Sequence, residues 1–128
     1  MSEYMKNNRP KNLNLFTIRL PINALVSILH RVSGMALFAM LPFLLFLMHS
    51  SLSSEDGFNL AVDVLDFWLM KLILIGLAWA FFHHFYAGLR HLAQDLHWMH
   101  GLNQARYSSK IIMGLVALSV IYFAILIW

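Results

Sequence analysis

The chain has 128 residues, 60% hydrophobic and 12% charged, with a mean hydropathy of +0.68, a formal charge of +3 and no cysteine. Soluble domains carry roughly 25% charged residues, and a unit this small keeps too large a surface-to-volume ratio to hide so much apolar surface, so a water-soluble globular enzyme is all but excluded. The missing cysteines exclude a disulfide scaffold, thiolate-held zinc or iron–sulfur centres and haem attached through cysteine pairs, which leaves the seven histidines for metal chemistry.

In chain order, residues 1–19 are polar and basic, with Leu13, Phe16 and Leu20 forming a short amphipathic stretch suited to a membrane surface and bracketed by Pro10 and Pro21. The first apolar run covers about residues 22–48. It is too long for the apolar region of a signal peptide and follows about twenty polar and mixed residues, so it reads as a membrane span, with Pro42 expected to kink it. Residues 50–66 read as a connection. The second run covers about residues 67–89, with Lys71 near its start, and the third covers residues 111–128. Crossing a hydrocarbon core about 30 Å thick takes roughly 20 mostly apolar residues, and none of the runs alternates with period two. The expected fold is all-α: a single integral membrane domain of three transmembrane helices with a short N-terminal surface segment.

Charge gives the orientation. Lys6, Arg9, Lys11 and Arg19 precede the first span, and Arg90, Arg106 and Lys110 lie between the second and third. Glu55, Asp56, Asp63 and Asp66 occupy the intervening connection without a basic residue. The basic residues flank apolar runs and form no stripe, so they speak for membrane topology and against nucleic acid. The N-terminus and second connection are expected in the cytoplasm, with the acidic connection and C-terminus on the far side of a bacterial inner membrane.

Ionisable residues inside spans are costly and mark functional sites. Ser27, Arg31 and Gly34 share a helical face, and Arg31 lies about 14 Å into the first span at 1.5 Å per residue. The alternative is that Arg31 snorkels to the headgroups as an anchor. In the second span His84, Gly88, His91 and Asp95 fall on one face, and Gly88 leaves room for a flat cofactor to approach the backbone. A neutral imidazole ligates haem iron well. His84 and His91 stand about 10 Å apart along the axis and cannot both bind one iron axially. The bland reading of His84 is a buried histidine bonded to a neighbouring helix. His83 points about 100° away and reads as a packing or lipid-boundary residue. His49, His97 and His100 read as solvated, and Phe81, Phe82, Phe85, Tyr86 and Trp98 as core and interface aromatics. Because the first span enters on the side where the second leaves, Arg31 and His84 come to similar depths, which favours one shared site.

The run Arg9-Pro10 followed by Ser27-Ile-Leu-His30-Arg31-Val-Ser33-Gly34, and then His84, Gly88-Leu-Arg90-His91 and Asp95, resembles the two signatures of the succinate dehydrogenase cytochrome b membrane-anchor family. The order, the spacing and the three spans agree over nearly the whole chain; Lys11 and Gln94 depart from the usual pattern. The resemblance implies the larger of two anchors in a four-subunit respiratory complex, with a flavoprotein, an iron–sulfur subunit and a second small anchor as partners. It implies that His84 is one axial ligand of a b-type haem, the other coming from the partner anchor. It places Ser27 and Arg31 at the ubiquinone site, and His30, Arg31 and His91 near the haem propionates. Three other readings stay open: a fumarate reductase anchor, a small proton-relay or transport subunit built on Arg31 and His84, and a purely structural anchor.

Overall fold

The computed structural model describes residues 17–98 and 101–128. The expectations for Lys6, Arg9-Pro10, Lys11, Leu13, Phe16 and His100 lie outside the described residues. Four helices follow in order: α1 (Ile22–Ser53), α2 (Glu55–Asp66), α3 (Trp68–Asp95) and α4 (Leu102–Ile127), with no strand among the described residues. Helices α1, α3 and α4 are long and apolar enough to cross a membrane. They cover the three apolar runs except Phe67 and Trp128 and extend beyond them, because hydropathy marks only the lipid-facing part of a helix and not its polar turns.

Helix α1 begins directly after Pro21, whose extended backbone cannot continue a helix towards the N-terminus, and runs unbroken through Pro42. In its last turns Ser51 Oγ donates to the Met48 carbonyl at 2.9 Å and Ser53 Oγ to that of His49 at 2.6 Å, each hydroxyl bonding back to its own helix. One extended residue, Ser54, then reverses the chain, and its Oγ accepts the Gly57 N–H at 3.0 Å as an N-cap. Glu55 and Asp56 in the first turn of α2 complement the helix dipole.

The stretch expected as a connection is therefore largely helical. Its polar residues Asp56, Asn59, Asp63 and Asp66 recur at helical spacing on one face, while Phe58, Ala61, Val62 and Leu65 turn towards Leu44, Leu47 and Met48 of α1. The acidic residues lowered its hydropathy and hid this amphipathic period. At its end Asp66 pairs with Lys71 Nζ at 2.6 Å, which accounts for a lysine at the edge of a span.

Helix α3 is central and packs on α1 and α4. Its buried positions are mostly small (Ala78, Ala80 and Ala87), and α4, packed on it, buries Ala105, Ser109, Ile112 and Val116. Small residues bring helix backbones close where lipid gives no hydrophobic drive to associate. Tyr86 and Ser119 share a hydroxyl hydrogen bond of 3.0 Å across that seam. Large side chains such as Phe38 and Leu118 are exposed, as lipid-facing positions should be. Helix α3 closes with the His97 N–H donating to the Gln94 carbonyl at 2.9 Å and the Trp98 N–H to that of Ala93 at 3.1 Å. His97 takes the left-handed conformation (φ 66°) that glycine usually supplies. His49 and His97 are exposed, as expected, and Trp98, read as a core or interface aromatic, is exposed too.

The placement of Arg90 between spans is corrected. It lies within α3, 4% exposed, and its guanidinium donates to Ser108 Oγ at 3.0 Å and to the Ala105 carbonyl at 3.2 Å. Arg106 and Lys110 likewise belong to α4.

A Cβ at Gly57 would be driven into the carbonyl oxygen of Ser50, so the α1–α2 corner depends on glycine. Gly57→Ala is expected to cost about 1–3 kcal/mol, the usual penalty for overpacking. It should lower the melting temperature in detergent and speed proteolysis near Ser54; unchanged values for both would refute the corner's rigidity.

Candidate functional site

The polar residues of α1 and α3 meet where the start of one helix lies beside the end of the other. The His84 ring reaches across to α1, and its Nδ1 donates to the His30 carbonyl at 3.0 Å. A carbonyl oxygen only accepts, so this bond puts the proton on Nδ1 and leaves Nε2 with a free lone pair. Ser33 Oγ donates to the same carbonyl at 2.8 Å and stands 3.5 Å from His84 Nδ1. Ser33 is fully buried, and sequence reasoning assigned it no role. Its position three residues after His30 was the available signal, since a serine hydroxyl commonly bonds back to a carbonyl one turn earlier.

Two glycines make this approach possible. A Cβ at Gly34 would stand 2.9 Å from His84 Cε1, so the imidazole lies in the space that glycine leaves open. A Cβ at Gly88 would meet His30 Nε2 at 3.3 Å. The room that Gly88 opens is taken by the His30 ring, where a flat cofactor had been expected to approach the backbone. Each helix thus offers a glycine to the other's histidine.

The His30 and His84 rings stack with centroids 4.1 Å apart and planes 8° from parallel, and His91 stands edge-on to His30 at 5.2 Å. The structure therefore brings His30, His84 and His91 into one cluster. It does not draw Ser27 or Arg31 into hydrogen bonds with that cluster. Ser27 is half-buried, Arg31 is exposed, and neither has a hydrogen-bond partner among the described residues.

His83, expected at a packing or lipid-boundary position, is fully enclosed. Its Nε2 lies 3.3 Å from the Val26 carbonyl and its ring 5.5 Å from that of Trp79. Among the described residues no three histidine or carboxylate side chains are arranged to hold a metal ion by themselves. What the cluster offers is one directed imidazole nitrogen, His84 Nε2, suited to an axial position on a planar metal complex. A separate apolar cleft of about 350 Å³, lined by Leu37, Leu74, Phe81 and Phe123 among others, has no side-chain donor and cannot orient a carbonyl group.

Residues 5–123 match the family of succinate dehydrogenase/fumarate reductase transmembrane subunits. Among curated proteins, the succinate dehydrogenase cytochrome b556 subunit of Paracoccus denitrificans is 36% identical over 122 residues, 94% of each chain. That of Coxiella burnetii is 32% identical over 126 residues, 97% of this chain and all of the relative, and that of Rickettsia felis is 33% identical over 90 residues, 70% and 69% of the two chains. With three helices able to span a membrane and a family match over nearly its full length, the chain belongs to the transmembrane subunits of succinate dehydrogenase and fumarate reductase.

Proposed function

We propose that the chain is a membrane anchor of succinate:quinone oxidoreductase, in which His84 supplies one axial ligand to a b-type haem and Ser27 and Arg31 bind ubiquinone. The observation that carries the haem assignment is the His84 Nδ1–H bond to the His30 carbonyl. Metal-ligating histidines almost always donate their other ring nitrogen in this way, which fixes the tautomer, aims the lone pair and raises its basicity. The Gly34 socket holds the ring at that angle. When bound, the haem supplies a one-electron relay within the membrane. A single chain offering one such nitrogen calls for a second ligand from another chain, which agrees with a partner anchor beside it. His30, stacked on His84, and His91, edge-on to His30, can donate to propionates at the haem edge, and Arg31, one residue beyond His30, offers the compensating cation.

Reduction of a quinone consumes two electrons and two protons, and charge builds on its carbonyl oxygens as electrons arrive. A hydroxyl on Ser27 and a guanidinium four residues later, on the same face of α1, can hold one such oxygen, and the bond to the cation strengthens as the oxygen becomes negative. That neither side chain is bonded elsewhere among the described residues leaves both available. The flavoprotein that oxidises succinate and the iron–sulfur subunit that passes its electrons on complete the proposed complex. Succinate oxidation is favoured over fumarate reduction because the named relatives are succinate dehydrogenase subunits.

Charge supports a cytoplasmic N-terminus in a bacterial inner membrane. The contacts of α1 with α3 and of α3 with α4 gather Arg19, Arg106 and Lys110 at one end of the bundle, while the acidic face of α2 lies at the other. Reporter fusions after Trp128 and within α2 should both read out on the non-cytoplasmic side, and a cytoplasmic signal from either would reverse the topology.

His84→Ala should abolish or alter the low-spin haem spectrum of the assembled complex, whereas His83→Ala should leave it nearly intact; the opposite pattern would transfer the ligand to His83. Loss of haem with retained proton transport would instead favour a proton-relay subunit. Ser27→Ala should lower the ratio of ubiquinone reduction to artificial-acceptor reduction about two- to tenfold, the worth of one hydrogen bond to a neutral group. Arg31→Leu should lower that ratio further and also weaken haem retention. An unchanged ratio for Ser27→Ala in assembled complex would remove Ser27 from the quinone site.

A further inference from the structure

His83 has no part in the function proposed above, yet its ring is completely enclosed. Val26, which it meets across the α1–α3 seam, is equally buried. The Val26 carbonyl can only accept, so the proton sits on His83 Nε2, and Nδ1 is left as a buried acceptor without a partner. For packing against Trp79 alone, an apolar ring would serve without the desolvation cost of that orphaned nitrogen. The imidazole has to be there for its N–H.

The carbonyl it grips lies four residues before the one gripped by His84. Val26 and His30 are one helical turn apart on α1, and the two donors are consecutive on α3, projecting about 100° from each other. A single hydrogen bond would let α1 swivel or slide about its contact. Two bonds one turn apart fix both the rotation of α1 and its rise against α3. The turn held between them contains Ser27, and Arg31 follows it directly.

We propose that His83 is a positioning residue for quinone binding, acting through the Val26 carbonyl to hold the turn of α1 that carries Ser27. This rests on the assignment of Ser27 and Arg31 to ubiquinone. It gives His83 a role separate from haem ligation and from general packing.

The test uses membranes containing the full complex. His83→Phe keeps an aromatic ring beside Trp79 and removes the N–H; His83→Gln restores an amide N–H on a side chain of similar reach. For His83→Phe the KM for a short-chain ubiquinone should rise about three- to tenfold, the scale of one neutral hydrogen bond, while kcat and the haem spectrum change by less than twofold. His83→Gln should bring KM back to within twofold of wild type. An unchanged KM in His83→Phe, or a Gln variant no better than Phe at equal assembly, overturns the proposal.

A second measurement needs no folded apolar variant. Histidine-selective ¹⁵N NMR of the wild-type complex, with the His83 signals identified by their loss in His83→Gln, should show a ring protonated at Nε2 and hydrogen-bonded there. Protonation at Nδ1 overturns the proposal. Measuring Ser27→Ala in parallel separates the two claims. If that variant raises KM and His83→Phe does not, only the role of His83 fails; if Ser27→Ala has no effect, the quinone assignment itself fails.

Discussion

A polar ring inside the hydrocarbon layer has to find its partners within the protein, and on α3 two such rings stand side by side. Water is not there to take their N–H groups, so each donates to a backbone carbonyl of α1, one turn apart. Those carbonyls already accept the helical bonds of their own chain and take the ring N–H groups in addition. The rest of the arrangement follows from this requirement. The helices must come close enough for an imidazole to reach a backbone, which places glycine at 34 and 88. Ser33 satisfies itself on the same carbonyl as His84 and so needs no partner from elsewhere.

The seam between α3 and α4 uses the same economy with a different donor. Arg90 is nearly as enclosed as His83, and no carboxylate pairs with it among the described residues. Its guanidinium spreads its charge over a serine hydroxyl and the carbonyl of Ala105, near the start of α4. Breaking this contact by removing Ser108 would leave a buried cation under-satisfied, a larger effect than deleting an ion pair with one exposed partner, such as Asp66–Lys71.

Much of this was legible in the residues alone. The three spans followed from the lengths of apolar runs, and the special character of residues 27–34 and 84–95 followed from polar groups lying where lipid should exclude them. Helix α2 was missed because its acids depress hydropathy below that of a span, although its apolar positions 58, 61, 62 and 65 keep a helical period. Arg90 was assigned to a connection because a charge at the edge of an apolar run looks like the end of a span. Its burial depends on α4, more than ten residues away, and no local pattern announces it. Helical spacing grouped His84, Gly88 and His91 correctly. The pairing of Gly34 with His84 and of Gly88 with His30 is a contact between helices, and a single helical wheel cannot display it.

The length of α1 has a consequence for the membrane itself. Its 32 residues extend about 48 Å at 1.5 Å per residue, against a hydrocarbon thickness of about 30 Å. Even a tilt of about 40°, near the top of the observed range, leaves about 7 Å in excess. The surplus ends at Ser53, where α2 folds back with its acids outward and Phe58, Val62 and Leu65 turned towards α1. The surplus turn therefore reaches headgroup level, where the acids of α2 can meet water while its apolar side lies over the end of α1.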